Sequence, residues 1–199
     1  MSTTSFFVEL IVIGVGAAIW IVLAVLSIFG VSWLSTSSFN KDLGFLLVAP
    51  ALSLVYVLGI ITDRAADWVF GPWSRALQRR EFESAKEYYR ARTIVYTRHQ
   101  ALTDLYEYGR SRLRICRGWV LNAVLILIVY DVFTARQISA DLRGSLWAAG
   151  TLGFGLLSVG ALAAWRGLTL QEVARLHEQF AILMSEKGRD KRRQEGHTI

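Results

Sequence analysis

The sequence predicts an all-α polytopic membrane protein with four transmembrane helices, a cytoplasmic helical hairpin and a C-terminal amphipathic helix. Three observations lead there. Of the 199 residues, 53% are hydrophobic and 19% charged, whereas a soluble domain is usually about 25% charged. The apolar residues gather in four runs, each close to the length needed to cross a bilayer. The Lys and Arg gather in two of the segments that separate or follow those runs.

The first run, Leu10 to Val31, reads LIVIGVGAAIWIVLAVLSIFGV and carries no charge. As a helix at about 1.5 Å per residue it extends roughly 33 Å, enough to span. It lacks the basic leader and the short apolar core of a cleavable signal peptide. The second run, Leu43 to Ile61, is uncharged and contains Pro50, which a membrane helix accommodates when neighbours satisfy the freed carbonyl. Gly118 to Phe133 is the third, with Asn122 and Asp131 inside it and Trp119 and Tyr130 near its ends as interfacial anchors. The fourth, Ser145 to Trp165, is uncharged and rich in glycine.

Between the second and third runs, Gly71-Pro72 is expected to end one helix and begin another, because Pro suits a first helical position. That helix should cover Trp73 to about Arg92, and the β-branched cluster Thr93 to Thr97 should turn the chain. Thr97 and Gln100 have capping-box spacing. From Arg98 the stripe Leu102, Tyr106, Gly109, Leu113 and Cys116 stays in register with Val120, Val124 and Leu127, so one helix should continue into the third span. Beyond the fourth span, Thr169 and Glu172 suggest a further cap, and Leu170, Val173, His177, Phe180 and Met184 form an apolar stripe. Residues 188–199 have no apolar period and read as a mobile tail. The resulting organisation is a first transmembrane pair (1–70), a cytoplasmic hairpin (71–117), a second transmembrane pair (118–166) and a C-terminal helix with tail (167–199).

Charge sets the expected orientation. Eleven Lys and Arg lie between Gly71 and Arg117 and seven between Arg166 and Ile199, against one in 35–42 and two in 134–145. Basic loops stay in the cytoplasm, so both termini are expected there, in a bacterial inner membrane. Membrane lipids are the expected surroundings, and a homo-oligomer is the expected assembly.

Several chemistries are excluded or unsupported. Cys116 is the only cysteine, so an intrachain disulfide and a cysteine-rich zinc module are both ruled out. The chain has no P-loop, no GxGxxG after a strand, no HExxH and no GxSxG. No catalytic residue, metal ligand or cofactor is assigned.

Four groups of residues remain as candidates. Aligning the cytoplasmic ends of the spans brings Glu9, Asp63, Arg64, Asp67, Arg114, Arg117 and Arg166 to one depth. Near hydrocarbon such groups pair or reach water, either as an ion-pair layer, for instance Arg64 with Glu9, or as a charged vestibule. Ala149, Gly153, Gly160 and Ala164 offer a small-residue face for helix packing. Asn122 suits interhelical bonding, and Asp131 an interfacial pair with Arg136. Arg90, Arg92, Arg98, Arg110 and Arg112 lie among tyrosines and suit contact with anionic lipid, nucleotide or nucleic acid.

The spacing of Arg92 and His99, with six residues between, resembles the R-x(4–6)-H motif of HEPN ribonucleases, although Thr93 stands where that family has a more polar residue. The resemblance implies a membrane-tethered ribonuclease using those two side chains. The composition and charge layer point instead to a non-enzymatic oligomeric membrane protein, channel-like or pore-forming and controlled through its basic cytoplasmic helices. The alternative is a membrane-anchored adaptor that recruits a cytoplasmic protein or nucleic acid.

Overall fold

The computed structural model describes the backbone of residues 3–30, 41–98 and 100–195, and the side chains of 6–30, 48–97 and 107–185. Within these residues the chain is all-helical: α1 (Thr3–Phe29), α2 (Lys41–Gln78), α3 (Ala85–Arg98), α4 (Gln100–Gln137) and α5 (Ala140–Glu195). Four helices are long and apolar enough to cross a membrane, over Phe6–Phe29, Val48–Gln78, Glu107–Gln137 and Ala140–Ser185. These properties are those of an integral membrane protein. Helices α2, α4 and α5 contribute residues to both of two compact units, Met1–Val69 with Ser111–Trp165 and Phe70–Arg110 with Arg166–Ile199.

The first unit is built on close backbone approach. Gly14 of α1 and Gly59 of α2 meet where a side chain would collide with the opposing backbone: a Cβ on Gly14 would stand 1.8 Å from the Val55 carbonyl oxygen, and one on Gly59 would stand 1.9 Å from that of Leu10. Only glycine permits this crossing. Helix α1 stops at Gly30, whose φ of 79° places it in the left-handed region, and its N–H closes on the Leu26 carbonyl at 3.0 Å. That is the glycine C-cap expected of an α-helix.

Helix α4 lies parallel to α1. Glu9 meets Arg114 at one end, Asn122 Nδ2 donates to the Ile13 carbonyl at 2.8 Å in the middle, and Gln137 Nε2 donates to the Ser27 carbonyl at 3.3 Å at the other end. The apolar part of α5 packs antiparallel to α4 through Tyr130, whose hydroxyl donates to the Leu146 carbonyl and whose ring lies against Phe154. Asp131 does not pair with Arg136: its carboxylate accepts from Thr151 Oγ1 at 3.1 Å.

The second unit has a soluble-type core. Phe82, Tyr88, Ala91, Val95, Val173, Leu176 and Leu183 are buried together, with α3 presenting positions 88, 91 and 95 to positions 173, 176 and 183 of α5. The helical spacing places each set on one face. The break between α2 and α3 falls at 79–84, where i→i+3 bonds from Arg80 to Leu77 and from Glu81 to Gln78 unwind the helix end.

Three sequence expectations are corrected here. Helix α2 continues through Gly71-Pro72 to Gln78, so Pro72 lies inside the helix and withholds an N–H from the Trp68 carbonyl. Thr93 to Thr97 are helical: Val95 is fully buried in the core, and the Thr93 and Thr97 hydroxyls bond back to the Tyr89 and Thr93 carbonyls. Tertiary burial outweighs the weak β-branched penalty. Thr169 lies inside a helix and does not begin one, since α5 runs unbroken from Ala140 to Glu195 and into the segment expected to be a tail; residues 196–199 lie outside the described residues. The cap that does form is Ser84 with Glu87. Ser84 Oγ accepts from the Glu87 N–H, and Glu87 returns an oxygen to the Glu83 N–H.

Candidate functional site

Ionisable side chains inside an apolar bundle are costly and are held only where they pair. Six of them pair in the first unit. Arg114 Nη1 donates to Glu9 Oε2 at 3.3 Å, and its Nε stands 3.7 Å from Asp63 Oδ1. Arg117 Nη2 donates to the same Asp63 oxygen at 3.1 Å, while its Nη1 contacts Asp67. Arg64 closes the series on Asp63 and Asp67 at 3.5 and 3.7 Å. Glu9 is 3% exposed and Asp63 2%, whereas Arg64 is 69% exposed. The network therefore grades from buried carboxylates to a water-facing guanidinium.

The composition of the layer is balanced. Glu9, Asp63 and Asp67 supply three negative charges, and Arg64, Arg114 and Arg117 supply three positive ones. Asp63 takes contacts from three arginines, which makes it the hub. Arg114 also lies over the Phe6 ring, 4.9 Å from its centroid, a cation–π contact that further desolvates its charge. One Glu9 oxygen, Oε1, and the Arg117 Nε are buried without a hydrogen-bond partner. The arrangement ties α1, α2 and α4 together at one level.

Six of the seven charges expected at one depth are thus brought together. The pairing differs from the illustration given by sequence, because Glu9 binds Arg114 and Arg64 turns to the aspartates of its own helix. Arg166 belongs to the second unit and is exposed. Asn122 serves as an interhelical donor, as its amide suggests; its Oδ1 has no partner.

The small-residue face is placed differently from the Gly14–Gly59 crossing. Ala149, Gly153, Gly160 and Ala164 are exposed, and a Cβ on Gly153 or Gly160 would meet nothing within 4 Å. Only 6% of the apolar window of α5 is buried, against 28% for α1.

Among the basic candidates, Arg90 on α3 and Arg110 are exposed and Arg92 is half-buried. Arg92, Arg110 and Arg175 are the charged neighbours of the half-buried Glu172. Arg112 is exposed in the first unit. The Arg98 side chain and His99 lie outside the described residues, so the HEPN-like pair is represented by Arg92 alone. No group of three His, Cys, Asp or Glu side chains suited to a metal occurs among the described residues.

The chain matches no known protein family, no curated protein and no solved structure.

Proposed function

We propose that the protein is a non-enzymatic integral membrane protein of the bacterial inner membrane, with both termini cytoplasmic, that works as a homo-oligomer with a channel-like activity controlled through its basic helices. The observation that carries this reading is the exposed small-residue edge of α5. Ala149, Gly153, Gly160 and Ala164 are open along a helix whose apolar window is 6% buried, and such edges permit close helix association in lipid. A second copy of α5 is the occupant that this edge fits.

The experiment is reconstitution in liposomes with mass measurement in nanodiscs. Wild-type protein is expected as a defined multimer that passes ions. Gly153→Leu with Gly160→Leu should reduce it to monomers without flux, and Asp63→Asn and Glu9→Gln should alter the flux. A monomeric, electrically silent wild type would overturn the reading.

One observation favours the alternative of a membrane-anchored adaptor. Each carboxylate of the charge layer already rests on an arginine, so the layer serves helix packing without needing a permeant ion. Replacing the spans with unrelated ones separates the two: an adaptor keeps its recruitment of a cytoplasmic protein or nucleic acid, and a channel loses its flux.

A further inference from the structure

The second unit holds a small cavity that the charge layer does not explain. It is lined by Arg75 and Gln78 from the last turn of α2, Arg79, Phe82 and Ser84 from the connection, and Ala85 and Tyr88 from the start of α3, and it is partly open to solvent. No carboxylate lines it. Phe82 and Tyr88 meet edge to face at 5.4 Å and form an apolar, aromatic wall.

Arg75 and Arg79 are the informative residues. Arg79 follows the last residue of α2 and its N–H still closes on the Arg75 carbonyl at 3.2 Å, so the two stand one turn apart, where like charges repel by roughly a few tenths of a kcal/mol. Both are exposed, and neither has a carboxylate within 4 Å among the described residues. Two of the nearby acids are otherwise engaged, since Glu87 turns back to the Glu83 N–H and Glu81 faces His177 at 4.0 Å, and the exposed Glu83 does not line the cavity. Arginine near a helix C-terminus complements the macrodipole, which accounts for a basic residue there. It does not account for two of them lining one cavity with Gln78.

We infer that this cavity binds a phosphate group, with Arg75 and Arg79 as its two guanidinium forks and Gln78 as a neutral donor. Guanidinium matches phosphate oxygens in geometry and charge. The cavity is small and partly open to solvent, so it seats phosphate oxygens at its mouth and leaves any substituent outside. Trp73, 54% exposed, precedes Arg75 by two residues on the same helix, and exposed Trp marks the interfacial level in membrane proteins. The phosphate therefore comes from an anionic lipid headgroup or from a soluble phosphate. The headgroup source rests on the membrane reading, the soluble source does not, and neither depends on channel activity.

The test uses the purified full chain in neutral maltoside micelles. One arm titrates inorganic phosphate against the thermal unfolding midpoint at constant ionic strength. The other counts phosphatidylglycerol retained in native mass spectra, with phosphatidylcholine as the neutral comparison. Wild type is expected to respond in at least one arm: a phosphate response identifies a soluble anion, and selective phosphatidylglycerol retention alone identifies the headgroup. The R75Q/R79Q variant should bind about tenfold or more weakly, as expected for losing two charge-assisted contacts. R80Q/K86Q, which removes the same charge from exposed positions outside the cavity, should stay within about twofold. If R75Q/R79Q does not fold, R75K/R79K replaces it, with a several-fold loss expected because Lys lacks the planar fork. Silence of wild type in both arms, or equal loss in the R80Q/K86Q control, would overturn the assignment.

Discussion

At the scale of single residues the decisive fact is that Glu9 and Asp63 are almost wholly buried while remaining paired to arginine. A buried pair is weak evidence of net stability, since desolvation consumes much of the Coulombic gain. Removing one partner is a different matter, because it strands the other charge. Arg114→Met is therefore expected to lower stability by about 3 kcal/mol, within the usual range for breaking a buried pair. The Glu9→Gln change should cost less, since Arg114 keeps Asp63 at 3.7 Å. Combining the two should cost less than the sum of the single changes, because the double variant leaves no stranded Glu9 charge. Reversible unfolding in mixed micelles measures all three, and strictly additive losses would show that the Glu9–Arg114 contact carries no coupling.

At the scale of elements, two kinds of glycine separate. Gly14→Ala drives a Cβ onto the Val55 carbonyl and forces α1 and α2 apart, so it should cost about 1–3 kcal/mol as an overpacking change. Gly153→Ala meets open space and should leave the unfolding midpoint unchanged or raise it, given the helix propensity of Ala. A Gly14→Ala variant as stable as wild type would contradict the α1–α2 crossing. The same contrast explains what sequence made legible. Helix class, the four apolar runs and the depth of the charges follow from composition and spacing, so Glu9, Asp63, Arg114 and Arg117 are readable as one layer. Which guanidinium meets which carboxylate depends on the rotation of each helix about its axis, and that is set by contacts such as Gly14 with Gly59. In α5 the expected stripe included His177 and Met184, whereas the core takes Val173, Leu176 and Leu183, with Phe180 packed on it. Spacings of three and four residues fit either face equally well, and the apolar surface of α3 decides between them. The break after Gln78 carries a local signal in Ser84 and Glu87, overshadowed in the sequence by the more conspicuous Gly71-Pro72.

At the scale of the whole molecule, charge distribution makes a prediction that is independent of packing. The segment 71–117 carries eleven basic and five acidic residues, a net of +6, and the tail from Arg166 carries seven basic residues. The loop that joins α4 to α5 lies between Gln137 and Ala140, and the segment 134–145 around it holds only Arg136 and Arg143 as basic residues. Translocating a cluster of Lys and Arg is disfavoured, so this imbalance should hold 71–117 and the tail in the cytoplasm and leave the α4–α5 loop outside. Because Cys116 is the only cysteine, a Cys116→Ser background gives a silent chain in which single cysteines report their side of the membrane. Ser139 in that loop and Ser185 on α5 are both exposed, so neither is shielded from reagent by the fold. A membrane-impermeant maleimide added to intact cells with a permeabilised outer layer should label Ser139→Cys and spare Ser185→Cys. Lysis should make both reactive. Reversed labelling would place the basic segments outside and remove the charge argument for orientation, while leaving the helices, the buried ion pairs and the cavity chemistry as they are.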